Sequence, residues 1–232
     1  MPTQKRIYHI FVLFWLAVVL GCAPTVQTFV HMDPVVGYDN YQADRPNEAL
    51  TLTKNDIKIT VGYLNRNKVE GLTSNTESNP FLSENKTFFT IFQVKIENNR
   101  TSKIFFKPEE CVVLDGLGNQ LNARTAETFR NLYPATTRQY YTYSYVFDEY
   151  QTNTGYTDDY YKRRIAEEQI IKGGMVYPNV KQEGLLVFDH LSSQASKITL
   201  IIPGVVLYDD NNEVTKKVDF SYVFIQEVRL VR

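Results

Sequence analysis

Residues 92–98 read Phe92-Gln93-Val94-Lys95-Ile96-Glu97-Asn98, with an apolar residue at every second position up to Ile96 and a polar or charged one between. Successive side chains of an extended chain point to opposite faces, so a period of two marks a half-buried strand. That strand is expected over 88–97, with Phe92, Val94 and Ile96 inward. Upstream, Ile57-Lys58-Ile59-Thr60-Val61-Gly62-Tyr63 repeats the pattern. Downstream, further strands are expected at 103–106, 111–114, 184–188, 197–202, 205–208 and 218–231. Asp115-Gly116-Leu117-Gly118-Asn119 supplies the Gly and Asn that a hairpin turn needs at positive φ, and Asp209-Asp210-Asn211-Asn212-Glu213 forms a second turn. Strands this numerous, with little helix between them, predict a mainly β fold, an antiparallel β-sandwich.

The alternation breaks between Leu121 and Gly184, too long a gap for a bare connection, so an insertion with its own structure is expected at about 122–183. A short helix fits 125–132. A stronger one fits 158–172, with Asp158/Lys162, Asp159/Arg163 and Arg164/Glu168 at i,i+4 and Gly173-Gly174 as its stop. Tyr161 and Ile165, continued by Ile170 and Ile171, are expected to dock this helix on the sandwich. Nine of the 16 tyrosines fall between Tyr133 and Tyr161. A Tyr ring is rigid and apolar with a hydroxyl at its edge, which suits either packing on its own domain or stacking on a protein or sugar partner. Tyr140, Tyr141, Tyr143, Tyr145 and Tyr150 are the candidate partner surface, with Tyr141, Tyr143 and Tyr145 at strand spacing.

The beginning of the chain carries a different signal: Lys5-Arg6, an apolar run over 7–20, then Val19-Leu20-Gly21-Cys22-Ala23-Pro24. The run is about 14 residues, within the range of a secretory h-region and short of the roughly 20 that span a bilayer. It resembles the lipobox of bacterial lipoprotein signals, matching at Gly21 and Cys22 and departing at Val19 and Leu20, where Leu and a small residue are commoner. The resemblance implies cleavage between Gly21 and Cys22, acylation of the Cys22 thiol through a diacylglyceryl group, and a cell-envelope location. Ala23 rather than Asp after the cysteine favours the outer membrane in a Gram-negative organism. An uncleaved anchor helix and an ordinary signal cut near Ala23 are the alternatives, and both also place the rest outside the cytoplasm. Domain organisation follows: signal peptide 1–21, lipidated N-terminus and tether 22–48 with Pro24, Pro34 and Pro46, and sandwich 49–232. Part of that tether, about 29–36, has the alternative of packing as an extra edge segment.

The runs 92–98, 104–106, 112–116 and 184–188 together resemble the immunoglobulin-like domain of bacterial envelope lipoproteins. That resemblance implies an interaction module more than a reaction. The paired Cys and strand Trp of antibody domains are missing, since Trp15 lies in the signal. With 43% apolar and 22% charged residues the chain is ordinary for a globular protein. Without residues 1–21 it holds 23 basic against 26 acidic side chains, about −3, which argues against nucleic acid as a partner. If Cys22 is acylated, Cys111 has no partner for an intrachain disulfide, and a buried role is expected for it.

No catalytic or metal-ligating residue is assigned, and no cofactor is expected. His31 and His190 belong to no ligand-spaced pair. Asp189-His190-Leu191-Ser192 matches a triad in composition alone, because near neighbours in sequence cannot form the relay. Asp209–Glu213 lacks the spacing of a calcium loop. The expected function is therefore a non-enzymatic, membrane-anchored envelope lipoprotein that binds another envelope protein or a glycan. The alternative is an enzyme or accessory subunit whose site a partner chain completes.

Overall fold

A computed structural model describes residues 27–35, 42–43, 49–74, 78–82, 89–134, 137–144 and 149–231. They fall into two units, 1–30 with 228–232 and 31–227. The first contributes the outer ends of two strands, β1 (Gln27–Pro34) and β14 (Val214–Val231); the second holds everything else described.

The remaining strands in chain order are β2 (Gln42–Ala43), β3 (Leu50–Lys54), β4 (Ile57–Tyr63), β5 (Thr90–Asn98), β6 (Ile104–Phe106), β7 (Val112–Asp115), β8 (Gln120–Asn122), β9 (Thr137–Ser144), β10 (Glu149–Tyr156), β11 (Gly174–Val176), β12 (Lys181–Phe188) and β13 (Lys197–Tyr208). Among the described residues the α-helices are α1 (Arg66–Glu70), α2 (Ala126–Leu132) and α3 (Asp158–Gln169). The fold is mainly β, as the alternation predicts. One antiparallel sheet has the order β12-β5-β4-β3-β2; the other runs β1-β14-β13-β6-β11, with β7 also on β13 and β8 on β7.

The two sheets face each other through side chains that the period-two reading placed inward. Phe92 of β5 meets Phe224 of β14 with ring centroids 5.2 Å apart, and Phe188 of β12 packs edge-on to Phe92 at 6.1 Å. Two buried polar groups also tie the sheets. The Tyr222 hydroxyl donates to Ile59 O at 2.9 Å. Asn98, fully buried at the end of β5, donates from Nδ2 to Ser102 O and to Val176 O in β11, both at 3.0 Å, and accepts from Arg100 N at 3.1 Å. Every polar atom of that amide side chain has a partner, as burial requires.

Four features differ from the sequence reading. Residues 27–34 of the segment read as a tether are strand β1, beside β14, in line with the edge-segment alternative; 42–43 form β2. The stretches 197–202 and 205–208 are one strand, because a bulge between Ile202 and Val205 with Gly204 at φ 60 lets β13 continue past Pro203. Gly173-Gly174 ends no helix: α3 stops at Gln169, and Gly174 opens β11, which pairs with β6 and so belongs to the sandwich rather than to the insertion. In α3 itself, Tyr161 is 45% exposed, and the residue turned to the core is Ala166. A small side chain there lets the helix backbone approach the sheet, which a Tyr would hold off.

The insertion is clamped to the free edge of β12 at both its ends. Arg124 N donates to Val187 O at 2.7 Å, and Ile171 N donates to Leu185 O at 3.0 Å. The second bond draws the chain so close that a Cβ at Gly184 would lie 2.7 Å from Ile171 Cα. Glycine inside this strand thus serves the clamp. Gly184→Ala is expected to cost about 1–3 kcal/mol by forcing the insertion off β12; urea unfolding checks this, and unchanged stability would contradict the clamp.

Candidate functional site

The outer face of the five-stranded sheet carries a second core. Ile91, Leu185 and Val187 point away from the sandwich interior, and Leu64, Val69, Phe81, Phe129, Ala166 and Ile170 cover them. Phe129 of α2 is fully buried, edge-on to Phe81 at 5.6 Å and tilted against Phe89 at 5.5 Å. Helices α2 and α3 are joined by Arg130 Nε on Glu167 Oε1 at 2.6 Å, with Arg163 Nε 3.4 Å from the same oxygen. Hydrogen bonding to Glu167 raises the pKa of Arg130 further.

Between these two helices in the chain lies a two-stranded ribbon. β9 and β10 pair with each other and, among the described residues, with no other strand. Eight consecutive pairs run from Thr137↔Tyr156 to Ser144↔Glu149 without a register shift, a ribbon about 27 Å long at 3.4 Å per residue. Directly opposed residues of an antiparallel pair share a face. The register therefore places Tyr141, Tyr143, Tyr150 and Tyr156 on one face, together with Thr137, Gln139, Thr152 and Thr154. The other face takes Arg138, Tyr140, Thr142, Ser144, Glu149, Gln151, Asn153 and Gly155. One face is uncharged and rich in tyrosine; the other holds one positive and one negative residue.

The candidate partner surface comprises five tyrosines. Tyr141, Tyr143 and Tyr150 come together on the aromatic face, Tyr140 is assigned to the opposite one, and Tyr145 lies outside the described residues. Tyr156 joins the face without having been singled out. Its signal was its even spacing from Tyr150, visible only once β10 is known to be extended. At the base, Leu132 is 51% exposed, and Tyr160 and Tyr161 stand edge to face with centroids 5.5 Å apart. Tyr133 takes the packing role instead: its hydroxyl donates to Pro80 O at 3.0 Å, and its ring lies 6.3 Å from that of Phe129.

Comparison with protein-family models, with curated proteins and with solved structures finds no match.

The remaining candidates are placed as follows. Gly21 and Cys22 lie outside the described residues. Among those residues no helix is long and apolar enough to cross a membrane. Asp189 accepts from Arg124 with both carboxylate oxygens, at 3.0 and 2.5 Å, while His190 is exposed at the end of β12. Ser192 Oγ accepts from Gln194 N in a turn. Asp209 Oδ1 accepts from Asn211 N and Glu213 N, both at 2.9 Å, which closes that loop on itself. Among the described residues no three His, Cys, Asp or Glu side chains gather as metal ligands. Cys111 is buried, its thiol pKa pushed up by desolvation and then by Glu109 and Glu110. A shallow groove of about 420 Å³ follows α2, lined by Arg124, Thr125, Glu127, Thr128, Asn131 and Leu132.

Proposed function

We propose that this chain is a non-enzymatic envelope lipoprotein, held in a membrane by acyl chains on Cys22, that uses the β9–β10 ribbon to contact another envelope protein or a glycan. The observation that carries the reading is the pairing register, which gathers four tyrosines and three threonines on one uncharged face of a ribbon that belongs to neither large sheet. Flat rings with hydroxyl edges contact a partner over a large area while losing little side-chain entropy, and the threonines add hydrogen-bonding groups between them. The two helices at its base are bound to the sandwich through a core of their own, which suits a surface that must be presented rather than folded away.

The anchor reading rests on Gly21-Cys22 and the apolar run before it. Because β1 begins at Gln27, four residues separate it from Cys22. Five Cα-to-Cα steps reach at most about 17 Å, so an acylated Cys22 keeps the start of β1 close to the lipid surface. Two or more acyl chains on one cysteine anchor a protein stably, where a single chain binds marginally.

Cys22→Ala should abolish incorporation of a labelled fatty acid and leave the precursor uncut; normal labelling of that variant would refute the anchor. For the surface, a Tyr141→Ser, Tyr143→Ser, Tyr150→Ser triple variant should lose at least about tenfold in partner recovery from solubilised membranes, as expected when about 1.4 kcal/mol or more of contact is removed. Equal recovery by a folded triple variant would show that contact is made elsewhere.

A further inference from the structure

The ribbon has an unusual pair of edges. Strands that end a sheet expose unpaired N–H and C=O groups, and proteins blunt such edges with lysine, proline, bulges, shortness or cover. Four other edge strands carry such devices: β2 has two residues, β8 and β11 three each, and the edge of β12 is capped by Arg124 and Ile171. The ribbon lacks lysine, proline, bulges and shortness, and among the described residues no other strand pairs with it. Its 16 paired residues include no lysine and no proline, they run without a bulge, and they are rich in Tyr and Thr, which favour strands.

The sequence of β10 is close to self-complementary under a two-fold axis at Asn153. Antiparallel pairing with a second copy would set Tyr150 opposite Tyr156, Gln151 opposite Gly155, Thr152 opposite Thr154, and Asn153 opposite itself. Aromatic pairs and threonine pairs directly across a sheet are among the stabilising ones, and no like charges oppose each other in this register. Charge adds a second argument. Within one copy Arg138 and Glu149 are separated by most of the ribbon, about 20 Å. Across this axis, Arg138 of one copy and Glu149 of the other fall on the same face about 12 Å apart between Cα atoms, two strand spacings over and two residues along. Gly155, the residue between them, has no side chain to intervene.

The geometry points to a second copy of this chain as the occupant of the β10 edge, giving a four-stranded sheet in the order β9-β10-β10-β9. Pairing uses the edge and leaves the faces free, so the two tyrosine faces merge into one of doubled area. The inference rests on the ribbon but not on the identity of any contact made by its tyrosines: self-pairing fails or holds independently of partner recovery by the triple Tyr variant.

The test is disulfide trapping in the full-length chain in its membrane. Asn153→Cys places two thiols opposite each other at the axis, within the Cα separations of about 4.4–6.8 Å that a disulfide spans; Thr142→Cys, on β9 away from that axis, is the control, and the wild-type chain is the blank. Under mild oxidation Asn153→Cys should yield a chain dimer at least fivefold above both. Adding Arg138→Glu should lower that yield, and adding Glu149→Arg to it should restore the yield. A folded Asn153→Cys chain that stays monomeric, a Thr142→Cys chain that dimerises equally, or trapping of Asn153→Cys to a different protein would each overturn the proposal.

Discussion

The strand pair β5–β12 is a wall with a core on each side, and most of the structure depends on it. Phe92, Leu186 and Phe188 face the sandwich interior; Ile91, Leu185 and Val187 face the helices. A strand buried on both faces cannot tolerate a register slip, because one residue of slip would exchange the two sets. It must also have its edge covered, and Arg124 and Ile171 supply that cover as backbone donors. One element therefore fixes the sandwich, seats α2 and α3, and defines where the ribbon leaves the body.

This arrangement separates two roles. The body is stabilised by aromatic packing and by buried hydrogen bonds such as those of Asn98 and Tyr222. Electrostatics contribute locally: Glu97 lies near Lys58 and Lys181 of the two neighbouring strands, at 3.7 and 3.2 Å, and Lys95 of its own strand, at 3.4 Å. Partial burial would raise that carboxyl, but the hydrogen bonds from Lys181 and Lys95 outweigh it and hold the pKa below the ordinary value. The ribbon pairs with no other strand among the described residues. An isolated two-stranded hairpin is marginal in water, and three or more strands or a packed face are what make it persist. Its composition is thus better suited to contact than to self-sufficiency, and pairing between copies would supply the missing strands.

Much of the sandwich was legible because period two is a strong signal where one face is dry. Strand β4 was read to its exact ends, and β5 to within two residues. The outer core was harder to see. Leu185-Leu186-Val187-Phe188 is a continuous apolar run, which marks burial on both faces, but nothing local says what covers the second face. Helix α1 was missed, although Asn65 caps Lys68 N, Arg66 pairs with Glu70, and Gly71 follows the last turn; five residues are too few for a visible period. The tyrosine cluster was legible as composition, but its division into two faces was not. That depends on the register of β9 on β10, and the sequence between the two strands holds no Asn-Gly or Asp-Gly pair that would announce it.

The central claim is that α2 and α3 belong to the sandwich through the β5–β12 wall while the ribbon is a separate element carried on them. Native-state hydrogen exchange resolved by residue tests it most directly, since cooperative units exchange together. The amides of Phe129, Ile170 and Ile171 should exchange as slowly as those of Leu185 and Val187, with 137–144 and 149–156 exchanging faster. Exchange of the α2 and α3 amides together with the ribbon, while β12 stayed protected, would contradict it.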